Sequence, residues 1–144
     1  MVTNKEISPL ILAVEGTEET RDGIEKLLKA DGYRVEPART VEDAILRAKR
    51  EPPDLLLISL PGTTVRVIQL ANRIRQEAGL LKEKVPVVMF CIEEVAQGEE
   101  VAIEGNIYLT RLDNFNQLRA FLRRLLINKP SINPVSIGGL AEAK

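Results

Sequence analysis

Pro53-Asp54-Leu55-Leu56-Leu57-Ile58-Ser59-Leu60-Pro61-Gly62 opens on an acid, runs through four consecutive large apolar residues, and closes on a serine and a Pro-Gly turn. Leu55 to Ile58 shows no alternation of apolar and polar positions. A strand of this kind has to be covered on both faces, as in a parallel sheet packed between helices.

Working outward, four further short runs suit strands: Leu10 to Val14, Tyr33 to Glu36, Val85 to Phe90 and Ile107 to Thr110. Helical patterning fills the intervals. Thr17 is a candidate cap for a first helix that carries Ile24, Leu27 and Leu28 on one face and stops near Gly32. Thr40, three residues before Asp43, starts a second helix with Ala44, Ile45 and Ala48 facing inward. A third begins around Thr64 and presents Val67, Ile68, Ala71 and Ile74 before Gly79. A short fourth is expected between Glu94 and Glu104. Leu118, Phe121, Leu122, Leu125 and Leu126 form the stripe of the last helix. Strict strand–helix alternation predicts an α/β fold: a five-stranded parallel sheet of flavodoxin-like order 2-1-3-4-5, with helices on both faces in three layers. The domain spans residues 1–127. Residues 128–144, with Pro130, Pro134, Gly138 and Gly139, read as a tail or linker.

Composition removes several function classes. A net charge of -1 argues against a general affinity for nucleic acid. With no histidine, histidine catalysis and histidine metal ligation are excluded, and the single cysteine, Cys91, allows no internal disulfide or zinc cluster. The polar N-terminus does not resemble a secretion signal, and no apolar stretch reaches the roughly 20 residues that span a bilayer. The expectation is a cytoplasmic protein without membrane contact.

In a sheet of this order the functional crevice lies at the carboxyl ends of the strands. Glu15, Gly16, Ser59, Cys91 and Arg111 fall there. The segments ending in these residues resemble the receiver domains of bacterial response regulators: Ile11-Leu12-Ala13-Val14-Glu15-Gly16, Pro53 to Gly62, Val85-Pro86-Val87-Val88-Met89-Phe90-Cys91 and Tyr108-Leu109-Thr110-Arg111. The similarity runs from about residue 8 to 127. It implies a role in two-component phosphorelay signalling. In the family the first segment ends in two acids and the third strand in the phospho-accepting aspartate. The fourth ends in Thr or Ser, and the fifth carries an aromatic and then a lysine.

Each part serves phosphotransfer. A carboxylate is the nucleophile, and Mg²⁺ neutralises the phosphoryl charge. Here Ser59 stands at the acceptor position, Gly16 replaces one metal acid, Cys91 the hydroxyl and Arg111 the lysine. The resemblance thus implies a degenerate, pseudo-receiver type that is not an enzyme and is not phosphorylated at the usual site. It has no cofactor and no Mg²⁺, and acts by protein–protein interaction. Asp54 opens its strand and is expected to point away from the crevice. Two alternatives stay open: a phosphorylatable receiver with an unorthodox acceptor, and a sensor of small anions at the vacated crevice.

Arg111 and Glu15 occupy facing strand ends, where a guanidinium can bind the carboxylate bidentately; two separately solvated side chains are the other reading. Tyr108 holds the position of the family's switch aromatic. The fourth-helix region is acidic, with Glu99, Glu100 and Glu104, and the last helix is basic, with Arg119 and Arg123. Those faces suggest a signalling partner, or a homodimer through the fourth helix, fifth strand and fifth helix, in which acid meets base twice.

Overall fold

The computed structural model describes residues 8–15, 18–90, 100–110 and 115–127. The helices are α1 (Glu18–Ala30), α2 (Val41–Arg50), α3 (Thr64–Glu77) and α4 (Phe115–Ile127). The strands are β1 (Leu10–Glu15), β2 (Arg34–Ala38), β3 (Leu55–Ser59), β4 (Val87–Phe90), β5 (Glu100–Ile103) and β6 (Ile107–Thr110). They form one sheet in the order β2-β1-β3-β4-β6-β5.

The alternation of side chains along each strand divides the interior in two. Leu12, Val14, Leu56 and Ile58 pack under α2 and α3, with Ala44, Ala48, Ala71 and Ile74. Their neighbours Ile11, Ala13, Leu55 and Leu57 face the other way, against Ile24 and Leu28 of α1 and Leu118 and Leu122 of α4. This is why the run at β3 is apolar at every position. Burial of each such side chain contributes about 2 kcal/mol.

Helix ends follow their local chemistry. Thr40 Oγ1 accepts the Asp43 backbone N–H at 3.0 Å and so caps α2. Thr63 does the same for α3 through Arg66 N at 3.2 Å. α1 ends where Gly32 takes φ 95°, a conformation that costs a residue with a Cβ. The expected cap Thr17 lies outside the described residues. No described helix is long and apolar enough to cross a membrane.

One element departs from the sequence reading. Five of the strands are parallel neighbours as expected, but residues 100–103, assigned to a fourth helix, form β5, antiparallel to β6. The sheet therefore has six strands. Gly105 and Asn106 adopt φ 88° and 61° and turn the chain back, so β5 and β6 make a hairpin. The rest of the assigned helix, 94–99, lies outside the described residues.

Arg75 locks this hairpin to the body of the fold. It is 3% exposed on the inner side of α3. Its guanidinium donates to Val85 O at 3.0 Å, Asn72 Oδ1 at 3.0 Å and Gly105 O at 2.8 Å. Asn106 adds a bond from Nδ2 to Lys82 O at 2.9 Å, and Val87 N donates to Asn106 O at 3.0 Å.

Candidate functional site

Register brings the strand ends together. Glu15 of β1 lies opposite Ser59 of β3, and Phe90 of β4 lies opposite Thr110 of β6. The order 2-1-3 makes the β1–β3 boundary the topological switch point, where open α/β sheets bind their ligands. Glu15 is fully buried and Ser59 is half-buried. A carboxylate kept from water is costly unless its charge is compensated or neutralised. Gly16, Cys91 and Arg111, the other three positions of the expected crevice, lie outside the described residues.

Asp54 stands at the far end of β3, where its Oδ2 accepts the Leu10 backbone N–H at 2.8 Å. It ties β3 to the start of β1 and points away from the crevice, as its position in the strand implied. An open cleft of about 700 Å³ also lies at that amino end, between Pro52–Asp54 and Ala78–Val85, away from Glu15 and Ser59.

Tyr108 is half-buried and meets the Phe121 ring edge-on, with centroids 5.3 Å apart and planes at 74°. Arg124 lies over the same Phe121 ring at 5.3 Å. The aromatic position expected to act as a switch is thus packed against α4.

Arg119, expected on an outward basic face, is 40% exposed in its side chain and pairs with Asp31, donating from Nε to Oδ2 at 2.7 Å and from Nη2 to Oδ1 at 2.6 Å. This fork-on-carboxylate pair holds Asp31 below its ordinary pKa of 3.8, first by the hydrogen bonds and then by the charge of Arg119. Arg123 and Arg124 remain exposed on α4, and Glu104 is exposed at the hairpin turn. Glu99 lies outside the described residues. The two-fold scheme of an acidic fourth helix against a basic last helix therefore loses its helix at 100–103, and Arg119 takes part in the outer face as one half of an ion pair.

Solved structures with the same architecture are numerous. The chemotaxis response regulator CheY4 of Vibrio cholerae superposes with a TM-score of 0.65 at 21% identity, covering 82% of this chain and 98% of its own. The signal receiver domain of a histidine kinase from Syntrophus aciditrophicus gives 0.65 at 16% identity, over 92% of this chain and 100% of that one. The response regulator TrrA of Thermotoga maritima, solved with Mg²⁺ and BeF, gives 0.61 at 17% identity, over 81% and 98%. The fold is that of a receiver domain. No protein-family model and no curated protein matches the sequence. Within this receiver fold, Glu15 and Ser59 sit at the ends of β1 and β3, and the antiparallel β5 is joined to β6 by a tight turn.

Proposed function

We propose that the chain is a receiver-like module of two-component signalling that takes no phosphoryl group at position 59 and acts by binding another protein. Ser59 carries this reading: it stands at the end of β3, in register with buried Glu15, and a serine hydroxyl cannot form an acyl phosphate. The donors also make a poor Mg²⁺ site. Glu15 supplies one carboxylate, Ser59 a neutral hydroxyl and Gly16 no side chain, whereas the ion asks for carboxylates and phosphate oxygens in an octahedron. Arg111 is the cation proposed to balance Glu15, and the full burial of that acid supports the pairing. The module works in the cytoplasm, without a cofactor and without catalysis of its own.

The proposed partner surface is the β5–β6 hairpin with α4, where Glu104, Tyr108, Arg123 and Arg124 are at least partly accessible. A signalling protein fits it better than a second copy, because Arg119 is engaged by Asp31. Incubation with acetyl phosphate or with beryllofluoride and Mg²⁺ tests the central reading. Unchanged mass and unchanged amide spectra are expected. A gain of one phosphoryl group, or widespread spectral shifts, overturns it.

A further inference from the structure

Opposite charges one turn apart brace the first three helices: Glu25 with Lys29 on α1, Asp43 with Arg47 on α2, and Arg73 with Glu77 on α3. α4 is charged differently. Phe115–Ile127 contains no acid and no lysine, and its positions 119 and 123, one turn apart, are both arginine. Like charges at that spacing work against the helix. The stripe Leu118, Phe121, Leu122 and Leu126 packs inward and so decides what stays outside. Asn116, Ala120, Arg123 and Arg124 are exposed, and Arg119 is partly so.

Two of these three guanidiniums are held in place. Arg119 forks onto Asp31 and also donates to Asn116 Oδ1 at 3.4 Å, and Arg124 lies over the Phe121 ring. Arg123 makes no hydrogen bond or ion pair among the described residues. Asp31, the acid that feels the charge of both Arg119 and Arg123, is already spanned by the Arg119 fork, so the two arginines keep an excess of positive charge. Asn116 and the three arginines surround Ala120, leaving an open depression of about 430 Å³ on the outer side of the helix. Ala120 ends at its Cβ and is the low point among longer residues. The aliphatic stems of arginine make apolar walls beneath charged heads. Such a depression takes an apolar side chain on its floor and carboxylates at its rim.

We propose that the outer face of α4 docks an acidic helix of the signalling partner, seating an apolar side chain over Ala120 and carboxylates on the arginines around it. The proposal rests on the reading of the chain as an interaction module and names its partner. A helix supplies carboxylates one turn apart, which is the spacing of Arg119 and Arg123. A second copy fits worse, because two α4 faces around a two-fold axis set arginine against arginine. Nucleic acid fits worse too, since the chain as a whole carries a net charge of -1.

Fluorescence anisotropy of the whole chain with a labelled peptide of core Glu-Glu-Leu-Ala-Glu-Glu-Leu tests the proposal. Saturable binding is expected, weakened about tenfold when the glutamates become glutamine and again when the leucines become serine. Arg123→Glu should reverse the charge preference, so that the variant favours a peptide with lysines in place of the glutamates. Ala120→Trp fills the depression, leaves every charge in place, and should weaken the glutamate peptide about tenfold. Melting curves of both variants show that they fold. No saturable binding, binding that Ala120→Trp leaves unchanged, or a preference that Arg123→Glu fails to reverse each overturns the proposal. So does a dimer in sedimentation that the peptide fails to dissociate, or tighter binding of an oligonucleotide of equal charge. Such a failure is separable from failure of the functional reading, because the beryllofluoride result does not depend on α4.

Discussion

The two edges of the sheet are built on opposite plans. At the β2 edge, Pro37 sits within the strand and removes a backbone donor. Charged pairs lie around it: Arg34 with Glu51 at 2.6 Å, Arg50 with Glu36 at 3.3 Å, and Arg47 with both Glu36 and Asp43. At the β5 edge, Glu100 to Ile103 contains no proline and no lysine, and its two β-branched residues sit half-covered at the rim of the core. A proline and solvated charges are the means by which proteins keep an edge from recruiting another strand. The β2 edge is therefore closed to pairing, while among the described residues no strand and no proline guards β5.

The comparison breaks most visibly at Arg75. Arg75→Ala leaves three acceptors, two of them backbone carbonyls, without their charged donor, and should destabilise the fold by about 3 kcal/mol in urea denaturation. Hydrogen exchange should show the loss concentrated in β5 and β6. Uniform loss across the sheet would mean that the arginine supports the core and not the hairpin.

A smaller effect is expected on the closed side. Thr40→Ala removes the cap of α2, the helix that carries Arg47 and Arg50 over β2, at a cost of about 1 kcal/mol by thermal denaturation. Exchange at β5 should be unaffected beyond the global change.

The Asp31–Arg119 pair distinguishes the edges from the interior by pH. The folded-state pKa of Asp31 lies below its ordinary 3.8, so the pair contributes stability above that value and loses it as pH falls through the folded pKa. Asp31→Asn should lower the melting temperature at neutral pH and flatten its decline below about pH 4. An acid limb of unchanged steepness would remove this pair from the account.

The smallest change in stability is expected from Pro37→Val, within about 0.5 kcal/mol. Its effect should be on association: an opened β2 edge should self-associate in sedimentation velocity at concentrations where the parent chain does not.

Most of the framework was readable from sequence because burial on both faces leaves a continuous apolar run. Leu55 to Ile58 gave β3, Thr40 gave the start of α2, and Leu118 to Leu126 gave the stripe of α4. The error at 100–103 came from expecting a helix in every interval between strands. Tertiary context overrode it: Val101 and Ile103 alternate toward the core, and Gly105-Asn106 supplies the positive φ of a hairpin turn. That Gly-Asn pair between alternating apolar residues was the available signal. Arg75 also had a local signal, since it follows Ala71 by four and lies on the inward stripe of α3. Asp31 and Arg119 had none, because 88 residues separate them and no periodicity links a loop to a distant helix. At the candidate site, Glu15 and Ser59 were placed correctly at the strand ends. The burial of Glu15 followed from packing that no local pattern encodes.

The last helix has a consequence for how the chain comes into being. Leu118, Phe121, Leu122 and Leu126 cover, beside Ile24 and Leu28 of α1, the face of the sheet formed by Ile11, Ala13, Leu55 and Leu57. A nascent chain that has emerged only as far as Thr110 holds every described strand of the sheet yet leaves the part of that face beneath α4 in water. Its arginine clasp to Asp31 is also still unmade. Folding on the ribosome can therefore finish only after residue 127 has cleared the exit tunnel, and until then the growing chain is an exposed apolar surface for chaperones to cover.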